Sequence, residues 1–419
     1  MEQRSIYVGF DLQEDSSRIS CFNPKTFETE SLGVGGDRTK QNIPTLLGYS
    51  PSKEIFFGED ALEKTKEGEG ILIDKLLEKV IKGEAVSIFD QPVDPVILLE
   101  RFIKKVLFLL KQYYPTGSIK FLVVTVKDMI PSLVDGIYKA LSSLGIEKDR
   151  AAVISHTLSY EYYALSQARE LWMNDVALFD FDGKGLKYYQ LSVGVRNTPH
   201  IVKTTIKDFS ETLSFDMLEE FEEEPLQYVF ENIAKNVLHK QVISTIYING
   251  IGFSGTWADK VLLELCSGRR IFKGDNLYSG GACYGARELG GEGKLSNYIF
   301  LSDEMIGKEI SFSGYYNGKQ SEIIMVEGPM HWFEVKKNFD VILDEEESIS
   351  LIITDTMTKQ KRKETLYLEG LPRRGNKLTR IEVRLQFVSP AICILTAKDK
   401  GFGDFIPSSN RIWEREIKL

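Results

Sequence analysis

Ile6-Tyr7-Val8-Gly9-Phe10-Asp11-Leu12 runs through Gln13-Glu14-Asp15 into Arg18-Ile19-Ser20-Cys21-Phe22, and a second version follows far downstream. There, Asp175-Val176-Ala177-Leu178-Phe179-Asp180-Phe181 leads through Asp182-Gly183-Lys184-Gly185 into Lys187-Tyr188-Tyr189-Gln190-Leu191. Each is an apolar run that closes on one aspartate and a tight turn, the pattern of a buried strand and its hairpin partner. Such a turn aims backbone N–H groups at a phosphate while its carboxylate holds a hydrated magnesium ion, and two facing turns make a clamp around a triphosphate. The plainer alternative is a pair of ordinary hairpins, whose turns favour Asp and Gly for conformational reasons alone. Repetition in two separate halves of the chain favours the clamp.

Outward from these hairpins, strand-like runs alternate with helices up to about residue 295, as in layered α/β folds. Further strands are expected at Ile119 to Val126, Ala151 to Ser155 and Thr245 to Asn249. Asp94 caps and Pro95 opens a helix whose apolar positions Ile97, Leu98, Phe102, Val106 and Leu109 keep a near-3.6 period. Another helix is expected from Pro131 to Leu144, with Gly145 as its stop. A third spans Phe215 to Lys240, and the acidic stretch Glu219 to Glu224 reads as its solvated face. After residue 300 the texture turns to short alternating strands: Ile310 to Gly314, Gly318 to Val326, Trp332 to Val335, Ser348 to Thr354, Lys363 to Leu368, Arg380 to Phe387 and Ile392 to Ala397. That spacing predicts a β-sandwich of roughly 110–120 residues.

A third chemical element joins the hairpins. Strand Thr245 to Asn249 meets Gly250-Ile251-Gly252-Phe253-Ser254-Gly255, with a helix expected to begin near Thr256. Glycines let backbone approach a ligand, and a helix N-terminus adds partial positive charge.

Bulk composition limits the partners. The 419 residues exceed one ordinary core, and 52 basic against 61 acidic residues give a net charge of −9, so no long-range field favours nucleic acid or an anionic membrane. Cys21, Cys266, Cys283 and Cys393 form no CxxC pair, and the start runs into a strand without a signal-type apolar region. A soluble protein of the reducing cytoplasm is expected. His156, His200, His239 and His331 fit no HExxH spacing, and no GxSxG accompanies them.

The two hairpins and the glycine loop, in this order, resemble the phosphate hairpins and adenosine loop of the actin-like ATPases, and especially of the 70-kilodalton heat-shock chaperones. Collinear stretches extend the likeness: Ile43-Pro44-Thr45, Phe57-Gly58-Glu59-Asp60-Ala61, Val123-Val124-Thr125-Val126 and Ser279-Gly280-Gly281-Ala282-Cys283-Tyr284-Gly285-Ala286. In the last third, Leu368-Glu369-Gly370-Leu371-Pro372-Arg373-Arg374-Gly375, Ile381-Glu382-Val383-Arg384-Leu385 and Ile394-Leu395-Thr396-Ala397-Lys398-Asp399-Lys400 resemble the chaperones' substrate-binding β-sandwich. The resemblance implies a duplicated ribonuclease-H-like domain over 1–297, with lobes of about 1–170 and 171–297, then a β-sandwich over 298–419 without a helical lid. It implies ATP or ADP with Mg2+ on Asp11 and Asp180, the nucleotide contacting Gln13, Asp182, Gly183, Lys184, Gly185, Gly250, Gly252, Ser254 and Gly255. It places the family's catalytic lysine at Lys75, with Asp11 and Asp180 as its catalytic partners.

The chain also departs from that family. Glu14 and Asp15 replace a small turn and would repel phosphate, Lys184 replaces a small residue, and no acid stands in Val153-Ile154-Ser155-His156-Thr157, where the family's metal-side carboxylate would fall. Thr204 to Ser244 is shorter than the lobe that covers the nucleoside. Two functions stay open: a chaperone-like protein that binds ATP or ADP and extended peptide clients with weak or lost hydrolysis, and a non-catalytic scaffold that binds a protein partner through the β-domain. A third class, a dinucleotide-dependent oxidoreductase, follows from the GxGxxG letters of Gly250 to Gly255 with Asp275 about 20 residues on.

Overall fold

The computed structural model describes residues 5–419 apart from 35, 36, 38, 67, 69, 195–198, 275, 302–304, 345, 357 and 358. The chain divides into two compact units, Met1–Tyr298 and Ile299–Leu419.

In the first unit the repeat proves larger than a hairpin. One sheet holds β1 (Ser5–Asp11), β2 (Ser16–Asn23), β3 (Glu28–Ser31), β4 (Ser118–Val126) and β5 (Ala151–Ser155) in the order β5-β4-β1-β2-β3. The other holds β6 (Asp175–Phe181), β7 (Leu186–Gly194), β8 (His200–Asp208), β9 (Ile243–Asn249) and β10 (Arg270–Lys273) in the matching order β10-β9-β6-β7-β8. The senses match as well: the central strand is antiparallel to its hairpin partner and parallel to the later strand. Asp11 sits opposite Arg18 and Thr125, and Asp180 opposite Lys187 and Asn249, so the two aspartates occupy equivalent register positions. Both central strands are buried on both faces, which is why they read as continuous apolar runs.

Helices α1 (Leu76–Lys82), α2 (Pro95–Tyr113), α3 (Pro131–Ser143) and α4 (His156–Ser166) belong to the first half. Asp94 accepts from Val96 N at 2.8 Å and caps α2, while Gly145, at φ +77°, stops the chain after α3. The second half contributes α5 (Glu223–Leu238), α6 (Asp259–Leu265) and α7 (Leu277–Arg287). Helices α4 and α7 pack on each other, and each reaches both sheets. Tyr160 of α4 donates to Val176 O at 2.9 Å and Glu161 accepts from Thr204 at 2.8 Å, both in the second sheet. Conversely α7 lies so close on the first sheet that a Cβ on Gly9 would stand 2.2 Å from Cys283 N. The two helices cross at Gly281, where a Cβ would meet Ser159 O at 1.9 Å. No described helix is long and apolar enough to cross a membrane.

Two expectations for this unit need correction. The single helix over Phe215 to Lys240 is two, Met217–Glu220 and α5, separated by extended Phe221 and Glu222. Pro225 has no N–H to give Phe221 O, so a continuous helix would lose a bond there, and clustered glutamates add repulsion. The helix expected near Thr256 starts only at Asp259, because a 3-10 turn at Ile251–Phe253 and a left-handed Gly255 bring Trp257 back to donate to Gly252 O at 2.8 Å.

The second unit carries β11 (Lys308–Tyr316), β12 (Lys319–Val326), β13 (Lys336–Leu343), β14 (Ser348–Asp355), β15 (Lys361–Tyr367), β16 (Thr379–Ser389), β17 (Ile392–Gly401) and β18 (Ile412–Lys418). They form two four-stranded antiparallel sheets, β12-β11-β14-β15 and β13-β16-β17-β18. Ile310, Leu351 and Ile353 from one sheet and Ile381, Val383, Leu385 and Leu395 from the other share one core. The strand expected at Trp332 to Val335 is instead a 3-10 turn, Trp332–Glu334, and β13 follows it. On β17, Asp399 is wholly buried and accepts both guanidinium nitrogens of Arg374 at 2.7 Å, Gly401 N at 2.9 Å and Ser409 N at 2.8 Å.

Candidate functional site

Because the two central strands end side by side, the hairpin turns open onto a cleft of about 950 Å3 in the first unit. One wall, from the first half, sets Leu12, Ile81, Val126, Ile130 and Leu133 among polar side chains that include Glu14, Asp15, Arg18, Glu78, Lys127 and Asp128. The other carries Asp180, Asp182, Lys184, Asn249 and Ser254 from the second.

At the floor, both aspartates are occupied by protein donors. Asp11 accepts from His156 Nε2 at 2.8 Å through Oδ1 and from Gln13 Nε2 at 2.8 Å through Oδ2. Asp180 accepts from Asn249 Nδ2 at 2.8 Å through Oδ1 and from the Tyr278 hydroxyl at 2.7 Å through Oδ2. The His156 and Tyr278 rings stack 3.9 Å apart and 15° from parallel, so one continuous chain, Asp11–His156–Tyr278–Asp180, crosses between the halves. The elements dictate it: Ser155 caps α4 and leaves His156 as its first residue, while α7 begins one residue before Tyr278. Burial raises the carboxyl of Asp180 above its ordinary value, against the lowering by Tyr278 and Asn249. Burial beside Asp180 also pushes the Tyr278 phenol well above 10.

The turns are equally committed. Glu14 turns away from the cleft floor: its oxygens accept from Leu77 N at 3.2 Å and Glu78 N at 3.0 Å, capping α1, and burial raises its carboxyl. Thr45 braces the same turn by donating to Gln13 O at 2.7 Å. In the second turn Asp182 pairs with Lys127 across the cleft and accepts Lys184 N at 2.8 Å. Burial pushes Asp182 upward, but Lys127, the Lys184 N–H and Lys187 together outweigh it and the carboxyl lies below its ordinary value.

Magnesium–nucleotide does not fit these residues. All four oxygens of Asp11 and Asp180 are hydrogen-bonded and the two residues are only 2% and 6% exposed, with the His156–Tyr278 stack between them. Among the described residues no group of three or more His, Cys, Asp or Glu is placed to hold a metal. Six carboxylates line the cleft against four basic side chains, and like charges about 4 Å apart cost roughly 4 kcal/mol at an effective dielectric near 20.

Several residues expected to hold ligand do other work. Lys75 is not in the cleft wall; it is exposed, sits at φ +48° before α1 and places Nζ 3.9 Å from Glu78. Gly185 lets the hairpin close, since a Cβ there would come within 2.6 Å of Ser210 Cα. At Gly250 a Cβ would meet Phe181 O at 2.3 Å, and at Gly252 the Phe181 ring at 2.3 Å, so these glycines seat the loop on β6. Gly183, Lys184 and Ser254 are exposed and do line or edge the cleft. Packing thus accounts for the first two glycines of the GxGxxG letters and left-handed backbone for Gly255, and Asp275 lies outside the described residues. Gly252→Ala is expected to cost about 2–3 kcal/mol by overpacking, and Gly255→Ala, with open space around it, only about 1 kcal/mol of left-handed backbone strain, in urea unfolding. Equal costs would contradict the packing account.

Sequence reasoning left His156 without a role and passed over Tyr278, Lys127 and the side chain of Asn249. Asn249 alone had a usable clue, as the strand-end residue beside Asp180 in the second copy of the repeat.

Two profiles match the chain. One, described as the C-terminal part of a family of unknown function, DUF5716, covers residues 28–303, and a domain of unknown function, DUF8552, covers residues 305–419. No curated protein matches it. With well over half of its length inside the first match, the chain belongs to the DUF5716 family.

Proposed function

We propose that this chain is a non-hydrolysing relative of the actin-like ATPases and heat-shock chaperones, working in the cytoplasm as an interaction protein whose β-sandwich unit binds a protein partner. The carrying observation is the Asp11–His156–Tyr278–Asp180 chain, which puts protein donors where a clamp for a metal-bound triphosphate needs free carboxylates. The matching order of five strands in each sheet, with helices α4 and α7 packed between them, supports the relationship. Four free cysteines suit a reducing compartment, and the acidic balance disfavours nucleic acid and anionic membranes as partners. A second reading, an ATP- or ADP-binding chaperone-like protein for extended peptides, is favoured by the size of the cleft and by Lys184 at its edge.

Phosphate release from ATP with excess magnesium decides between them. The expected rate equals that of buffer alone. Turnover that disappears in Asp11→Asn would contradict the non-hydrolysing reading and restore the second.

A further inference from the structure

A second cavity, of about 410 Å3, opens at the end of the second sheet opposite the cleft. The cleft lies where β6 and β9 end, at Asp180 and Asn249, whereas this cavity lies where they begin, around Asp175 and Val242. Arg169 and Lys240 line it together with Met173, Val193 and Val242. Met173 and Val242 are 65% and 70% exposed, so the lining is amphipathic.

Both cations lack an acid partner among the described residues; the neighbouring Glu170 pairs with Arg270 at 3.7 Å instead. Arg169 is also held in place. Its Cζ stands 3.7 Å from the centre of the Trp172 ring, which is 7% exposed and tied by Nε1 to Gln167 O at 3.0 Å. Stacking leaves the in-plane N–H groups of a guanidinium unspent, which is the geometry that takes a planar anion through two parallel bonds. Gln241 adds a donor. Asp175 only accepts, so Gln190 turns its NH2 end to it at 2.6 Å; the same group reaches Gln241 Oε1 at 3.0 Å and leaves the NH2 end of Gln241 unspent.

Charge selects the anion. Two cations against one carboxylate, Asp175, leave the lining one positive charge in excess. A single negative charge balances it, whereas a phosphate dianion would place a surplus charge beside Asp175. We infer that this cavity binds a monocarboxylate with a short apolar side chain, its carboxylate on Arg169, Lys240 and Gln241 and its apolar group on Met173, Val193 and Val242. A free branched-chain acid and the last residue of a polypeptide share that chemistry. The site is separate from the cleft and does not depend on the non-hydrolysing reading.

The full chain, labelled with 13C at its methionine methyls, is titrated with N-acetyl-leucine, 4-methylpentanoate, N-acetyl-leucinamide and inorganic phosphate, and the Met173 signal is assigned by Met173→Leu. Saturable shifts of that signal are expected with the acids and none with the amide. Tighter binding of N-acetyl-leucine than of 4-methylpentanoate identifies a chain end as the source; otherwise the source is a free acid. Lys240→Asn suits the left-handed backbone at φ +58° and is expected to bind the acids about tenfold more weakly with an unchanged thermal midpoint, and Arg169→Lys, which keeps the charge but loses the fork, is expected to weaken them as well. No saturable shift with either acid overturns the inference, as do equal binding of the amide, tighter binding of phosphate, or undiminished binding in Lys240→Asn.

Discussion

Replacing His156 by alanine is expected to cost the first unit about 3 kcal/mol. The ring is 5% exposed, gives Asp11 one of its two side-chain bonds and stacks on Tyr278. Truncation leaves a buried carboxylate short of a donor, at about 1–3 kcal/mol or more, and opens a void beside the Tyr278 ring that adds to the loss. Tyr278→Phe keeps the stack and removes only the bond to Asp180, so about 1–2 kcal/mol is expected. Hydrogen exchange resolves the effect: amides of β1 and β6 should lose protection together in His156→Ala, because the chain of contacts links both sheets. A loss below about 0.5 kcal/mol, or one confined to β1, would show that the stack does not hold the halves.

Asp399→Asn is expected to cost the second unit about 3–5 kcal/mol, the usual effect of removing one partner of a buried ion pair. Arg374 is 8% exposed in its side chain and would be left unpaired beside a wholly buried position, with two Ser409 donors and Gly401 N also losing their charged acceptor. The Arg374 guanidinium holds the Asp399 carboxyl far below its ordinary 3.8, with burial opposing. A lowered folded value means that the contribution is complete above the unfolded value and is lost as pH falls through the folded one. The gap between native chain and variant in amide-exchange stability of β16 and β17 should therefore stay constant from about pH 8 to 5 and narrow progressively below about 4. A gap independent of pH down to about 2 would contradict the ion pair as its source.

The parts of the fold that were legible in the sequence are those set by local rules. Asp94 and Pro95 opened a helix where expected, Gly145 stopped one, and the doubly buried strands Ser5–Asp11 and Asp175–Phe181 announced themselves as unbroken apolar runs. Edge strands were harder. Lys336–Leu343 and Ile412–Lys418 expose most of their residues and so carry little apolar alternation, while Trp332 and Phe333 supplied aromatic residues to what is only a turn. The site was legible at Asp11 and Asp180 and illegible around them. Glu14 looked like a charge aimed at phosphate, yet the helix N-terminus at Leu77 and Glu78 draws it aside, a contact 63 residues away in sequence. Glycines at 250 and 252 spell the same letters whether they admit a ligand or the Phe181 ring. His156 and Tyr278 meet only because α4 and α7 pack on each other, and no local pattern encodes that.

With His156, Gln13, Asn249 and Tyr278 bonded to Asp11 and Asp180, the proposed non-hydrolysing protein leaves no room there for metal and triphosphate. Calorimetric titration of magnesium–ATP into the full chain is expected to give no saturable heat up to millimolar nucleotide, and a one-to-one isotherm that vanishes in EDTA would contradict the proposal.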